Sequence, residues 1–294
     1  MIKLAAFILT FNEEIHLSRC IQNLKKLTND IYVIDSFSND KTAEIARKES
    51  VKILYRKFDN HAAQINWALS KIDRDSEWVL RIDADEILSE ELINEIKQNL
   101  PILNMQYSGI YIPRRIKFQG HLIKYGGVFP SKIIRLFKYG FAFCENRLMD
   151  EKFVINGKCT SLKNELIDHN LKSFSWWLKK HNSYSSKEAI EMLDLEFNFL
   201  EKNLNKKLNK TSSKKDFYYK SPLFIRAIMY FIYRYFFRLG FLDGFRGFVF
   251  HFFQGLLYRL IVDIKYYVSY KQLKRSKKNI SKIIYENFGV SIKK

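Results

Sequence analysis

Residues 3–9 form a continuous apolar run of strand length, which the polar Thr10-Phe-Asn-Glu13 ends. Leu17, Cys20, Ile21, Leu24 and Leu27 then share one face at helical spacing. The alternation repeats three times. Residues 31–34 read as a second strand stopping at Asp35, followed by a helix carrying Ala43 and Ala46 with Asp40 as its N-cap. Residues 51–54 read as a third strand, and Ala62, Ile65, Ala68, Leu69 and Ile72 mark the helix after it. A fourth strand over 78–82 precedes a helix over 90–100. Strands alternating with helices of this length predict an α/β fold with a parallel sheet covered on both faces by right-handed crossovers.

Beyond residue 100 the pattern changes. Ile110-Tyr-Ile-Pro-Arg-Arg-Ile116 and Ile133-Ile-Arg-Leu-Phe137 are separated by turn-rich Gln119-Gly-His and Tyr125-Gly-Gly-Val-Phe-Pro130, which predicts mixed or antiparallel strands able to shape an acceptor pocket. Residues 176–199 read as helical, and the Lys-, Asn- and Ser-rich stretch that follows reads as a solvated linker. Residues 222–238 are rich in aromatics, with Arg226, Arg234 and Arg238 spaced at multiples of four and so on one side of a helix. Residues 241–270 repeat the theme, interrupted by Arg246, Arg259, Asp263 and Lys265. Neither segment offers the roughly 20 uninterrupted apolar residues of a spanning helix. An interfacial, monotopic amphipathic helix pair is expected, its cations facing anionic lipid and the basic tail Lys271-Gln-Leu-Lys-Arg-Ser-Lys-Lys278 adding attraction. A helical cap on the first domain or a dimer interface is the alternative. The organisation expected is therefore a domain over 1–200, split near residue 100, a linker over 201–220 and a membrane-associating helical region over 221–294.

Composition narrows the partners. With 50 Lys and Arg against 31 Asp and Glu, the net charge of +19 calls for an anionic surface: phospholipid head groups, nucleic acid or a phosphorylated substrate. The excess accompanies the apolar C-terminus, which makes lipid the simpler partner and argues against nucleic acid. Cys20, Cys144 and Cys159 form no CxxC pair, against a disulfide framework or a zinc site and for a reducing compartment. The N-terminal apolar run is too short for a signal peptide, with Glu13 and Glu14 close behind.

Candidate chemistry gathers at the strand ends. In an open α/β sheet, ligands bind outside the carboxyl ends of the strands, and Thr10, Asn12, Glu13, Asp35, Arg56, Asp83 and Asp85 all fall at that edge. Within Trp78-Val-Leu-Arg-Ile-Asp-Ala-Asp-Glu86, an extended backbone would aim the two aspartates to one side, where Mg²⁺ or Mn²⁺ with a nucleotide diphosphate fits. No GxGxxG or GxxxxGK[ST] supplies a backbone phosphate cradle, so metal and side chains must neutralise the diphosphate. Arg114, Arg115, Lys124 and Arg135 are candidate phosphate partners. The plain alternative is an acidic strand-to-helix turn.

Leu9-Thr-Phe-Asn-Glu-Glu14, Val33-Ile-Asp-Ser-Phe-Ser-Asn-Asp-Lys-Thr42, Gln64-Ile-Asn66, Arg81-Ile-Asp-Ala-Asp-Glu86, Arg135-Leu-Phe-Lys138 and Met149-Asp-Glu151 together resemble the bacterial family-2 glycosyltransferases. The branch of lipopolysaccharide-core β-1,4-glucosyltransferases is the nearest in appearance, as far as Gly240-Phe-Leu-Asp-Gly-Phe-Arg-Gly247. The resemblance implies a GT-A fold (Rossmann-like, mixed sheet) and inverting transfer from a nucleotide-sugar, a UDP-sugar, to a lipid-linked or lipopolysaccharide-type acceptor at the cytoplasmic side of the bacterial inner membrane. It implies that Asp35 binds the nucleoside, Asp83 the ribose or the metal side and Asp85 the metal, with His169 completing the metal site; the matching segments add Gln64 and Arg135 to the donor-binding set. The base is Asp150 or Glu151, the order here being Asp-Glu where many members have Glu-Asp. A sugar nucleotidyltransferase and a non-catalytic basic membrane- or nucleic-acid-binding protein are the competing readings.

Overall fold

The computed structural model describes residues 2–145, 152–199, 218–275 and 280–290. Two compact units divide the chain, Met1–Lys172 and Ser173–Lys294.

In the first unit, β1 (Leu4–Thr10), α1 (Leu17–Lys25), β2 (Asp30–Asp35), α2 (Thr42–Lys48), β3 (Lys52–Tyr55), α3 (His61–Lys71) and β4 (Trp78–Asp83) alternate as the apolar pattern predicts. Their strands pair in parallel in the order β3-β2-β1-β4. Successive side chains on a strand face opposite ways, so both sheet faces need cover. On one, Ile8, Val33, Leu80 and Ile82 pack with Leu17, Cys20, Ile21 and Leu24 of α1. On the other, Phe7, Ile34 and Val79 meet Ala62, Ile65 and Ala68 of α3. Each of these large aliphatic side chains contributes about 1.5–3 kcal/mol by leaving water. Asp40 lies one residue before the N-cap, Lys41, but still serves the helix end: its Oδ1 accepts the Thr42 N–H at 2.9 Å.

The chain continues through β5 (Glu86–Leu88), α4 (Glu90–Leu103), β6 (Gly109–Phe118), β7 (His121–Leu122), β8 (Ser131–Lys138), β9 (Ala142–Glu145), β10 (Lys152–Ile155), β11 (Cys159–Ser161) and β12 (Leu166–Asp168). Here the sheet becomes mixed: β8 is antiparallel to both β4 and β6, β12 runs parallel to β6, and β5 closes the order antiparallel to β12. Strands β9 and β10 form a separate antiparallel pair.

In the second unit, the helix α5 (Phe174–Phe197) buries Ile190 and Leu193 against Leu273 and Ile284. That shared core draws α5 to the C-terminal helices, although the change in composition puts a boundary near residue 200. A helix over Ile225–Ile232 runs on through the wider turns of Tyr233–Phe237, and a second helical run covers Gly240–Arg275. The latter, 36 residues with an 18-residue window of mean hydropathy 1.3, is long and apolar enough to cross a membrane by length and composition, with 39% of that window buried inside the protein. Arg246, Arg259, Asp263 and Lys265 interrupt it, as the sequence predicts. One correction concerns the arginines. Arg226 and Arg234 do not face outward: both are buried, Arg226 against Asp263 with Nε at 2.9 Å from Oδ1, and Arg234 against Gln254 at 3.3 Å. Only Arg238 of the three is exposed. An unpaired aspartate inside the helical layer would be costly, and Arg226 is its counter-charge. Most of the 201–220 linker lies outside the described residues.

Candidate active site

Strand register brings the polar strand ends level. Thr10 pairs with Asp35 across β1 and β2, Asp35 with Tyr55 across β2 and β3, and Leu9 with Asp83 across β1 and β4. Asp35 is fully buried; its Oδ1 accepts the Thr10 hydroxyl at 3.0 Å and the Ser38 hydroxyl at 2.5 Å, and its Oδ2 the Ser38 N–H at 2.8 Å. A carboxylate has about four acceptor positions, so these three bonds orient it and leave one open. Beside it, Gln64 is buried with its Nε2 on the Ser36 hydroxyl at 3.2 Å, and its Oε1 meets no partner among the described residues. Arg56 reaches the Ala63 carbonyl at 2.7 Å and lies over the Trp67 ring, while its N–H bonds the Asp35 carbonyl at 3.0 Å.

Asn12 and Glu13 brace the loop rather than face an open site. Asn12 Oδ1 accepts the Asn39 N–H at 3.0 Å. Glu13 is held on both oxygens, by Lys172 Nζ at 2.6 Å and by His16 Nδ1 at 2.6 Å. The buried His16 accepts the Leu171 N–H on Nε2 at 2.8 Å, which puts its proton on the Nδ1 that faces Glu13. These contacts tie the end of β1 to the segment following β12.

The two aspartates of the acidic motif have different surroundings. Asp83 ends β4, and its carboxylate lies between two guanidinium groups: Arg81 Nη2 at 2.8 Å and Arg135 Nη2 at 2.8 Å. Arg135, only 4% exposed, also holds Glu86 at 2.6 Å. Burial first, and then the Asp83 charge, push the Glu86 carboxyl above the ordinary carboxylate range, while Arg81 pulls it down. Arg81, Arg135, Asp83 and Glu86 are thus tied into one cluster beneath the site. Asp85 is instead in the tight turn between β4 and β5, so the extended backbone expected for the pair ends at Asp83. Among the described residues its carboxylate takes one side-chain hydrogen bond, from Asn170 Nδ2 at 2.8 Å. A single half-solvated carboxylate suits a hard cation whose remaining ligands are phosphate and water.

His169 adjoins Asp85, its N–H donating to the Asp85 carbonyl at 2.9 Å. Its Nδ1 is 3.1 Å from Arg19 Nη1. Guanidinium has no acceptor, so Nδ1 receives that bond and the ring proton sits on Nε2. Burial, then the charges of Arg19, Lys117 and His16, bring His169 down to about 4, and the ring is neutral at pH 7. Arg19 Nη2 also binds the carbonyls of Asp85 and His169. The free ring nitrogen, Nε2, carries the proton in this arrangement and would release it on binding a metal; no cluster of three His, Cys, Asp or Glu able to hold a metal ion occurs among the described residues. Of the three expected metal ligands, Asp83 is held by two arginines and His169 by Arg19, while Asp85 has the least committed carboxylate.

The base candidates Asp150 and Glu151 lie outside the described residues; the strands before and after them, β9 and β10, pair with each other. Of the other cationic candidates, Arg114 is 3.8 Å from Asp168, and Arg115 pairs with Glu165 at 2.6 Å and covers the Phe129 ring. Sequence patterns miss Arg19, His16, Ser38 and Asn170. Ser38 had a signal, its place in the polar run after β2. Arg19 had none, since it sits on the polar side of an amphipathic helix like any solvated arginine.

Glycosyl transferase family 2 matches residues 6–169. An uncharacterized glycosyltransferase of Rickettsia typhi is 30% identical over 259 residues, covering 85% of this chain and 82% of its own. The lipopolysaccharide core biosynthesis glycosyltransferase LpsC of Rhizobium meliloti is 31% identical over 128 residues, 42% of this chain and 44% of its own. The solved structure of S. aureus TarS residues 1–349 covers 94% of this chain and 92% of its own at 14% identity, with a TM-score of 0.44.

Proposed function

The chain belongs to glycosyl transferase family 2 and has the mixed GT-A sheet expected of it, and from that premise we propose that it transfers a sugar from a UDP-sugar, with inversion, to a lipid-linked or lipopolysaccharide-type acceptor at the cytoplasmic face of a membrane. The family assignment sets aside the nucleotidyltransferase and the non-catalytic binding module. The observation that carries the reading is the difference between the two aspartates: Asp83 is locked by Arg81 and Arg135, while Asp85 presents a carboxylate at the sheet edge.

In this reading, Asp35 and Gln64 receive the nucleobase, Asp35 through its remaining acceptor position and Gln64 through the Oε1 that has no partner among the described residues. Asp83, held rigid by its arginines, faces the ribose. Asp85 would hold Mg²⁺ or Mn²⁺, which when bound stabilises the negative charge of the departing diphosphate. His169 offers an N–H on its outer nitrogen to the same diphosphate, its orientation fixed by Arg19. Inversion needs a group that takes the proton from the acceptor hydroxyl as it attacks the anomeric carbon. Glu151 or Asp150 fills this role by their place in the family motif.

LpsC is by name a core lipopolysaccharide enzyme, which supports an envelope glycan as acceptor. A screen of nucleotide-sugars that reads nucleotide release, with and without bacterial membrane lipid extract, tests the proposal. Release of UDP from one sugar donor, stimulated by the extract and by Mn²⁺, is expected; release indifferent to the extract would overturn the lipid-linked acceptor.

A further inference from the structure

Beside the apolar core that α5 shares with Leu273 and Ile284, one part of the second unit places buried charge behind an exposed apolar face. In the described stretch 218–275 the acids are Asp243 and Asp263, and both are buried. Arg226 and Arg234 are buried with them. Arg259 pairs with buried Glu188 at 2.5 Å, and Tyr258 donates to the same carboxylate at 2.6 Å. The outside of the first helix is apolar: Ile225, Ile228, Met229, Tyr233, Phe236 and Phe237 are exposed at helical spacing, Phe237 at 75%. The stripe continues around the following turn through Phe241, Leu242 and Phe245, the last 78% exposed.

Glycines make that turn possible. A Cβ on Gly240 would come within 2.8 Å of the His251 ring and 2.9 Å of the Arg234 carbonyl, and one on Gly247 within 2.3 Å of the Asp243 Cβ. The tight closure keeps Asp243 inside and leaves the phenylalanines outside. In water such an arrangement exposes what burial would stabilise and buries what water would solvate. In hydrocarbon the same arrangement is favourable on both counts.

Charge identifies the medium. Every exposed charged side chain in this stretch is cationic: Lys220, Arg238, Arg246, Lys271, Lys274 and Arg275. A bilayer with anionic head groups complements that set, whereas a second copy of the unit would bring like charges together.

We propose that the second unit inserts the stripe from Ile225 to Phe245 into the acyl region of an anionic bilayer as a monotopic wedge, with Arg238 and Arg246 at the head groups. This deepens the reading of a membrane-borne acceptor, on which it rests. Insertion, rather than surface charge, holds the protein there.

The test uses the full chain with vesicles of phosphatidylcholine and phosphatidylglycerol. Wild type is expected to co-sediment with them and to remain bound at about 1 M salt, where surface attraction is screened to about 3 Å. The double variant Phe237→Ser, Phe245→Ser is expected to bind about tenfold less, with an unchanged circular dichroism spectrum and unchanged UDP binding in the presence of Mn²⁺. A separate Phe245→Trp variant places an emitter on an exposed position, and lipids brominated in the acyl chain are expected to quench it. Release of wild type by salt, undiminished binding of the double variant, or no quenching would each overturn insertion. A dimer that ignores vesicles and dissociates on the double substitution would do so too, in favour of a second copy. Loss of UDP binding by wild type refutes the donor reading separately, because that measurement needs no vesicle.

Discussion

Both units of this chain bury arginine against carboxylate, and they do so to different ends. In the first, Arg135 and Arg81 hold Asp83 and Glu86 under the end of β4, at the edge where the strand termini expose polar groups, and the apolar side chains lie inside the two helical layers. In the second, Arg226 and Asp263 join helices whose outward surface is phenylalanine, isoleucine and methionine. The same kind of pair therefore stiffens a polar strand end in one place, and in the other keeps charge off an exposed apolar surface. Buried ion pairs add little net stability over apolar packing. Their positions point to roles in geometry and surface character.

Breaking the pairs is the strongest challenge to this contrast. Arg135→Met leaves Glu86 buried without that guanidinium and Asp83 with one fewer, and Arg226→Met leaves Asp263 buried without its arginine; each is expected to cost about 3–5 kcal/mol in chemical denaturation, through the buried Glu86 and Asp263. The two should differ in function. In folded protein, Arg135→Met weakens UDP binding because Asp83 loses its anchor, whereas Arg226→Met leaves it unchanged. Equal losses of UDP binding would remove the distinction.

A smaller effect is expected at Arg19. Arg19→Met frees the His169 ring and two backbone carbonyls beside Asp85, and turnover should fall about tenfold, the usual scale for an outer positioning contact. Arg19→Lys, with one point donor in place of a fork, should recover only part of it. A full rescue by lysine would mean that Arg19 supplies charge alone.

The smallest effect is a slope with pH. His169 titrates near 4 in the folded chain against about 6.5 when free, so between those values the unfolded chain binds more protons than the folded one. Stability is then expected to rise with pH across this window and to be lost as pH falls from about 6.5 to about 4. Denaturation midpoints of wild type and His169→Gln over that range check it: the variant should show a shallower slope.

Much of the first unit was legible in its sequence because apolar runs of strand length end in polar residues, and a parallel sheet aligns such ends whatever lies between them. Thr10, Asp35 and Asp83 follow from that rule. What was not legible depends on contacts between distant segments. Arg135 is 52 residues from Asp83 and Arg19 is 150 from His169, and no local spacing reveals that either side chain is committed to a protein partner instead of a phosphate. The arginines of the second unit failed for a related reason: a four-residue spacing shows that Arg226 and Arg234 share a side of the helix, but only Asp263 and Gln254, on another helix, make that side the inner one.

The central claim is that Asp85 is the carboxylate through which a nucleotide diphosphate and its metal are held. Calorimetric titration of UDP into the full chain, with Mn²⁺ and with chelator, for wild type and Asp85→Asn, tests it most directly. Binding by wild type that requires Mn²⁺ and is lost in the variant, with Asp83 still locked by its arginines, is the expected result. UDP binding of equal strength with chelator, or undiminished in Asp85→Asn, would contradict it.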